Sequence, residues 1–362
     1  MRRSFSFFFL LSLFISISSC IRRSDALALD VKEVDYLNKS DMILVGNQLD
    51  WNIEGSYEMA IMDSLLMFVG TDVQGMLKVF SLNSQKQVGN FCLKGRAKNE
   101  FIEAASLTEQ TYTDHGCIFY PIVNFPNNEL KVINISESIK KHATVVTSVT
   151  ECTSLGEFVL LDNDASKTFE CRLVQNPVEL KKREVPASYW VCNEDKQKRV
   201  RVFNRKMRID DEHDIYIPYT GQLSKHPDRN LVVEVHSGID YIFFFDFDAK
   251  KNFAIHQQGT ISFNDLLTHK SVEPHMFSDV AVAKDYFFVL YWNGDYSNGF
   301  ERKERKPELF VFDWDGNFLS GAKLDQRVMS IEYDENNKTL YGINRTTESL
   351  YKFDVKPLIS NN

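Results

Sequence analysis

Thr339-Leu340-Tyr341-Gly342-Ile343-Asn344, then Arg345-Thr346-Thr347-Glu348-Ser349, then Leu350-Tyr351-Lys352-Phe353-Asp354 is an apolar run, a cluster of turn formers and a second run carrying aromatics. Short runs of this composition, bounded by Asn, Thr and Ser, read as the two strands of a hairpin. Asn344 ends the first strand with an amide that accepts backbone N–H bonds in a tight turn. Going back along the chain, the unit recurs as Tyr286 to Trp292, Asn293, then Leu309-Phe310-Val311-Phe312-Asp313. It recurs again as Glu157 to Asp162, Asn163, then Phe169 to Val174, and as Cys117 to Val123, Asn124, then Leu130-Lys131-Val132-Ile133. Leu65-Leu66-Met67-Phe68-Val69 with Leu77-Lys78-Val79-Phe80 is another copy, and Ile215-Tyr216-Ile217 to Tyr241-Ile242-Phe243-Phe244-Phe245-Asp246 is a weaker one.

Spread over 37–356, these copies give roughly fifty residues per unit, the size of a four-stranded propeller blade with its loops. One blade cannot cover both of its sheet faces, so neighbours must stack, and closing the ring removes exposed edges. The reading is therefore all-β, a six-bladed β-propeller. Seven blades is the main alternative and a pair of two-sheet sandwiches a further one, because the copies are unevenly spaced. A first strand within Val31 to Leu49 is expected to complete the last blade beside Leu350 to Asp354. Twenty-eight phenylalanines and fourteen tyrosines in 362 residues favour strands over helices.

The start of the chain has a different logic. Met1-Arg2-Arg3, an apolar stretch from Phe7 to Ile17, and Ser18-Ser19-Cys20 describe a leader with a basic end, a short greasy core and small residues before a cut. Ile17-Ser18-Ser19-Cys20 resembles the bacterial lipobox, which implies cleavage before Cys20 and acylation of its thiol. The expected layout is a lipoprotein signal peptide over 1–19, a lipidated tether over 20–36, the propeller over 37–356 and a tail over 357–362. The expected location is the bacterial cell envelope, the chain held by its lipid to a bilayer, the outer membrane being favoured, with periplasmic face and cell surface both open. Ile21-Arg22-Arg23 is not an acidic surface-export run. The formal charge of −8, made more negative by loss of Arg2 and Arg3, argues against nucleic acid as a partner. Besides Cys20 there are Cys92, Cys117, Cys152, Cys171 and Cys192, an odd set with no CxxC, read mostly as small buried hydrophobes.

Gly95-Arg96-Ala97-Lys98-Asn99-Glu100-Phe101 follows the expected outer strand Gln87 to Phe91. With the lipobox and the Asp-Gly-Asn hairpin, it resembles the TolB-like six-bladed propeller lipoproteins of Bacteroidetes, over nearly the whole mature chain. The family pattern is roughly Gly-Arg-Gly-Pro-x-Glu-Phe; Ala97 and Lys98 stand here where it has Gly and Pro. The resemblance implies a fold and an address rather than a chemistry.

In a propeller, the second-to-third strand loops and the blade-to-blade loops share one rim. Asn124, Asn163, Asn293 and Asn344 are expected there, as turn residues first and as an oxygen ring for calcium second; no other cofactor is expected. The loop after Asn293 offers Trp292, Tyr296 and Phe300 for stacking on a sugar or peptide, and Arg302 and Arg305 for carboxylates. A basic stretch holding Lys198, Arg199, Arg201, Arg205 and Arg208 suits lipid headgroups, phosphates or an acidic glycan, or is an ordinary wet strand face. Asp313-Trp314-Asp315-Gly316-Asn317 reads as a hairpin turn. No Gly-x-Ser-x-Gly, His-Glu-x-x-His, P-loop or dinucleotide fingerprint occurs. His213, His236 and His275 are the histidines to inspect for acidic partners. The chain thus reads as a membrane-anchored binding or scaffolding module for a glycan, peptide or envelope protein. The alternative is a hydrolase or lyase acting on an ester, lactone or glycosidic bond at the channel mouth.

Overall fold

Tyr241, Ile242, Phe243, Phe244 and Phe245 are consecutive, and every one is buried. Successive strand residues point to opposite faces, so this sheet needs an apolar neighbour on each side. The computed structural model supplies one. It describes residues 27–360 apart from 38, 41, 73, 107–109, 152–157, 164–165, 174–186, 194–195, 204–220, 238, 261, 264–274 and 294–305.

Three short strands come first: β1 (Asp30–Val34), β2 (Met42–Leu44) and β3 (Asn47–Leu49). Blade 1 is β4 (Ser56–Met62), β5 (Leu65–Gly70), β6 (Leu77–Ser81) and β7 (Lys86–Phe91). Blade 2 has β8 (Glu103–Ala105) and β9 (Tyr112–Asp114) sharing the inner position, then β10 (Cys117–Phe125), β11 (Glu129–Asn134), helix α1 (Ile135–Lys141) and β12 (Val146–Glu151). Blade 3 is β13 (Phe158–Leu160), β14 (Lys167–Leu173), β15 (Ala187–Asn193) and β16 (Lys196–Val200). Blade 4 is β17 (Gly221–Lys225), β18 (Leu231–His236), β19 (Tyr241–Asp246) and β20 (Lys251–Gln257). Blade 5 is β21 (His275–Val282), β22 (Tyr286–Asn293), β23 (Glu308–Asp313) and β24 (Phe318–Leu324). Blade 6 is β25 (Ser330–Asp334), β26 (Thr339–Asn344) and β27 (Ser349–Asp354), with β3 as its outer strand; helix α2 (Lys356–Ile359) follows.

The buried apolar side chains of the described residues fall into six clusters, and each cluster is one seam between adjacent blades. The period of two decides which seam a residue joins. In β19, Tyr241, Phe243 and Phe245 pack toward blade 3, while Ile242 and Phe244 pack toward blade 5. In β22, Phe287, Val289 and Tyr291 meet blade 4, and Phe288 and Leu290 meet blade 6. The seam of blades 2 and 3 is the thinnest, with Val123, Leu130, Phe158 and Leu160.

The ring closes where the sequence reading places it: Asn47, Gln48 and Leu49 pair antiparallel with Lys352, Tyr351 and Leu350. Upstream of that closure, the N-terminal segment is a strap. Part of the expected tether, β1, runs parallel to β20 on blade 4, and β2 runs parallel to β24 on blade 5. Tyr36 fixes the strap between them. It is fully buried, its hydroxyl donates to Asp240 O at 3.1 Å, and its ring lies 5.3 Å from that of Phe310.

Strand direction defines two rims. Second-to-third strand turns and blade-to-blade links form the upper rim; first-to-second and third-to-fourth turns form the lower. Blades 1, 2, 5 and 6 have the strand phase read from the sequence. Blade 3 does not: Phe158–Leu160 is its first strand, Lys167–Leu173 its second, and the third lies beyond 174–186. In blade 4 the second strand is Leu231–His236; Ile215 to Ile217 lie outside the described residues.

Candidate functional site

On the upper rim, the asparagine amides are committed to local bonds. Asn124, only 2% exposed, accepts from Ile102 N at 2.7 Å and donates to Glu129 Oε2 at 2.8 Å. That bond is the main reason the Glu129 carboxyl sits below its ordinary range. Asn344 accepts from Thr346 N and Thr347 N at 3.0 and 3.2 Å. Asn163 lies in the first-to-second turn of blade 3, so it is on the lower rim and does not share a face with the others; its Oδ1 accepts from Gln110 Nε2 at 3.2 Å. Asn293 ends β22, and its side chain lies outside the described residues, as do Tyr296, Phe300, Arg302 and Arg305. Trp292 is no stacking platform: it is 5% exposed, with the Arg327 guanidinium 5.6 Å from its ring centre. Among the described residues no group of three or more His, Cys, Asp or Glu side chains is placed to hold a metal ion.

The Gly95–Phe101 segment is a blade-to-blade link on the same rim, and its residues explain one another. Gly95 N donates to Phe101 O at 2.9 Å, and Ala97 N donates to Glu100 Oε2 at 2.9 Å. A Cβ at Gly95 would lie 1.9 Å from Glu100 Oε2, so a larger residue there would have to displace that carboxylate from Ala97 N. Phe101 is fully buried under Lys131, whose Nζ donates to Glu100 O at 2.8 Å and Lys98 O at 3.2 Å and lies 3.6 Å from Glu129 Oε2. Lys78 does the same one blade earlier, donating to Glu54 O at 2.8 Å beside Asp72 at 3.3 Å. Both lysines follow the first leucine of a third strand and are 4% exposed. Each pins the link entering its own blade, a structural role for the sharpest motif in the chain.

The inner strands carry carboxylates not read from the sequence. Glu58 Oε2 on β4 accepts from Ser106 N of blade 2 at 2.7 Å, and Asp279 Oδ2 on β21 accepts from Ile331 N of blade 6 at 2.6 Å. Burial pushes Glu58 up to about 7 and Asp279 up to about 6. Glu332 on β25 is raised too, by burial first and the Asp279 charge second. The exposed Arg345, in the blade 6 upper turn, partly offsets the shifts of Glu58 and Asp279. Protonatable carboxyls therefore sit on the inner strands of blades 1, 5 and 6, two of them bridging neighbouring blades.

His236 has an acidic partner, Glu234, with Nε2 to Oε2 at 3.5 Å, but both are fully buried away from the channel in the seam of blades 3 and 4. His213 lies outside the described residues, as does the side chain of His275. The Asp313 to Asn317 segment is the hairpin expected, Asp313 Oδ1 accepting from Asp315 N and Asn317 N, with Gly316 at φ +76°. Of the basic stretch, Lys198, Arg199 and Arg201 are exposed on the outer edge of blade 3 rather than on a rim; Arg205 and Arg208 lie outside the described residues. Cys20 and Cys152 do too. Cys92 and Cys171 are buried, Cys117 and Cys192 half-buried, and all four are free thiols.

No protein-family model matches the chain, and no curated protein matches it by sequence. Solved structures do. A member of the DUF4221 family from Bacteroides vulgatus is similar at a TM-score of 0.54 and 11% identity, over 91% of this chain and 98% of that one. A protein from Bacteroides fragilis described as exported is similar at a TM-score of 0.46 and 10% identity, over 90% of this chain and 98% of that one. The first of these likenesses shows the propeller fold.

Proposed function

We propose that this chain is an exported, lipid-anchored envelope propeller of the TolB-like kind, whose upper rim is a binding or scaffolding face for a glycan, a peptide or another envelope protein. One observation carries the reading: the four longest connections, 174–186, 201–220, 258–274 and 294–307, all start and end on the upper rim of blades 3 to 5. Lower-rim connections are short in sequence, apart from the link containing α1. Loops on a rigid scaffold are where recognition is usually built. A bilayer attachment through acylated Cys20 is supported by the lipobox sequence. Among the described residues no helix is long and apolar enough to cross a membrane.

The test is capture of envelope extract and a glycan panel by the full chain and by a variant with 294–305 replaced by a short Gly-Ser turn. Binding lost with an unchanged melting temperature supports the reading; binding unchanged by this replacement and by an equivalent one at 174–186 refutes it. The alternative, a hydrolase or lyase, is favoured by the raised carboxyls of Glu58 and Asp279. It requires Glu58→Gln to abolish turnover of an ester, lactone or glycoside while leaving capture intact. Calcium belongs to that alternative, and is tested by metal analysis before and after a chelator.

A further inference from the structure

The link from blade 1 to blade 2 carries more than the pinning motif. Lys94, Arg96 and Lys98 lie on it, and all three are exposed. Among the described residues, none of their side chains makes a hydrogen bond or an ion pair. The one acid within 92–102 is Glu100, and its Oε2 is taken by Ala97 N at 2.9 Å. The other links that lie wholly within the described residues differ. From blade 5 to blade 6 there are Asp325 and Arg327, one charge of each sign; from blade 6 to blade 1 there are Asp50 and Glu54 and no cation.

Lys98 is four residues on from Lys94, so their Cα atoms are at most about 14 Å apart. That is little more than the Debye length of about 8–10 Å. The fields of the three cations therefore add, in a chain whose formal charge is −8. The backbone that carries them is fixed. Phe101 N donates to Leu93 O at 3.0 Å, Gly95 N to Phe101 O at 2.9 Å and Glu100 N to Ala97 O at 2.9 Å, and Lys131 holds Lys98 O and Glu100 O. A partner meets an ordered turn, and little entropy is lost in fixing it. A second observation lies at the same link. Leu93 is 53% exposed. Val149, also an exposed hydrophobic, stands directly opposite Lys131 on β12, and so shares the sheet face from which Lys131 reaches the link.

We propose that this link is a docking point for an acidic peptide segment of a partner protein, its carboxylates taken by Lys94, Arg96 and Lys98 and an aliphatic side chain by Leu93. Charge complementarity and the apolar neighbour together choose the occupant. A flat anionic bilayer laid on this rim would also meet the exposed Asp50 and Glu54 of the neighbouring link, whereas one extended chain avoids them. An acidic glycan brings no aliphatic side chain to Leu93. The proposal rests on the reading of this chain as a binding module, and adds to it a contact on blades 1 and 2, away from the long loops of blades 3 to 5.

The experiment is fluorescence anisotropy on the full chain in a neutral detergent. The probes are a labelled glutamate-rich peptide with interspersed leucines, an all-glutamate peptide, a labelled oligogalacturonate, and a short-chain soluble phosphatidylglycerol as competitor. The expected result is binding of the Glu-Leu peptide that weakens with added salt. The triple variant Lys94→Gln, Arg96→Gln, Lys98→Gln should weaken it about ten-fold or more with an unchanged melting temperature. Lys140→Gln, which removes an exposed lysine of α1, should leave it unchanged. Leu93→Gln should weaken the Glu-Leu peptide and spare the all-glutamate one. Oligogalacturonate or the lipid headgroup bound as tightly as the peptide, and lost in the same triple variant, would overturn the peptide and assign the link to that ligand. No binding of the Glu-Leu peptide, or binding that the triple variant leaves intact, would overturn the site. If the triple variant is silent while replacement of 294–305 abolishes capture from envelope extract, the binding-module reading stands without this site; if neither change has an effect, both fall.

Discussion

Lys131→Met removes an ammonium and keeps most of the aliphatic stem, so it isolates what the charge does. In the folded chain that ammonium donates to Glu100 O and Lys98 O at 2.8 and 3.2 Å, faces Glu129 at 3.6 Å, and lies 4.9 Å from the ring centre of Phe101. Charge-assisted hydrogen bonds contribute about 1.5–3 kcal/mol each, so two give roughly 3–6 kcal/mol before costs. Lys131 is 4% exposed, and the lost hydration of its ammonium offsets several kcal/mol of this. Deletion, however, leaves two carbonyls without a donor, so a net loss of about 2–3 kcal/mol is expected. At about 2 °C per kcal/mol for a chain of this size, thermal unfolding followed by circular dichroism should shift down by about 5 °C. Lys78→Met should behave alike. Lys140→Met removes a lysine that is 76% exposed and paired only at the surface, and should shift the midpoint by less than about 1 °C. If Lys131→Met is as silent as Lys140→Met, the lysines do not pin the blade links, and the explanation of Gly95 to Phe101 fails.

Tyr36→Ala should destabilise by about 3–5 kcal/mol, since a fully buried ring and its bond to Asp240 O are lost; limited proteolysis should then cut first between β1 and β2. Raising the pH from 6.5 to 8 should lower the melting temperature. Glu58, raised to about 7, keeps in the folded chain a proton that the unfolded chain has released, so higher pH favours unfolding. His226, lowered to about 4 by burial, has the opposite sign; most of its effect falls between that value and the ordinary 6.5, so it offsets only the lower end of the window. Glu58→Gln keeps an acceptor for Ser106 N and should flatten the slope; an unchanged slope would remove Glu58 as its source. Amide exchange in Phe158–Leu160 should be faster than in Tyr241–Asp246, because the seam of blades 2 and 3 is the thinnest; equal protection would contradict that ranking.

The repeat is legible because second strands end in turn formers and third strands carry consecutive apolar residues, such as Val79-Phe80, Val132-Ile133 and Leu309-Phe310, that must be buried on both faces. Blade 3 was misphased for a physical reason: its first strand is only Phe158–Leu160, and the 3-10 turn Leu161–Asn163 follows at once, so Asn163 imitates a second-strand ending. That error put Asn163 on the wrong rim. The strap was only partly readable. Parallel pairing of Asp30–Val34 with blade 4 needs no local turn and no apolar alternation, so Asp-Val-Lys-Glu-Val looked like tether. The burial of Trp292 leaves no trace in the sequence, because a strand end beside a long loop gives no hint of which face its ring takes. Glu58 and Asp279 come together through the ring, from positions far apart in the chain, and no spacing signals that. The lysine pins did leave a trace: Leu77-Lys78-Val79 and Leu130-Lys131-Val132 place a cation at the same point of a strand otherwise buried.

Everything about the rims, the blade links and the strap depends on a ring closed by the N-terminal strand in one register. Gln48 lies directly opposite Tyr351, at a spacing of about 4.5–5.5 Å between Cα atoms for facing residues of antiparallel strands, which a disulfide can bridge. The decisive measurement is oxidation of the double variant Gln48→Cys, Tyr351→Cys, with the cross-link mapped by peptide mass and unfolding followed in denaturant. A single 48–351 link that raises the unfolding midpoint is the expected result. A thiol at position 48 that stays fully reactive, or that links elsewhere, would contradict the closure and the six-bladed ring built on it.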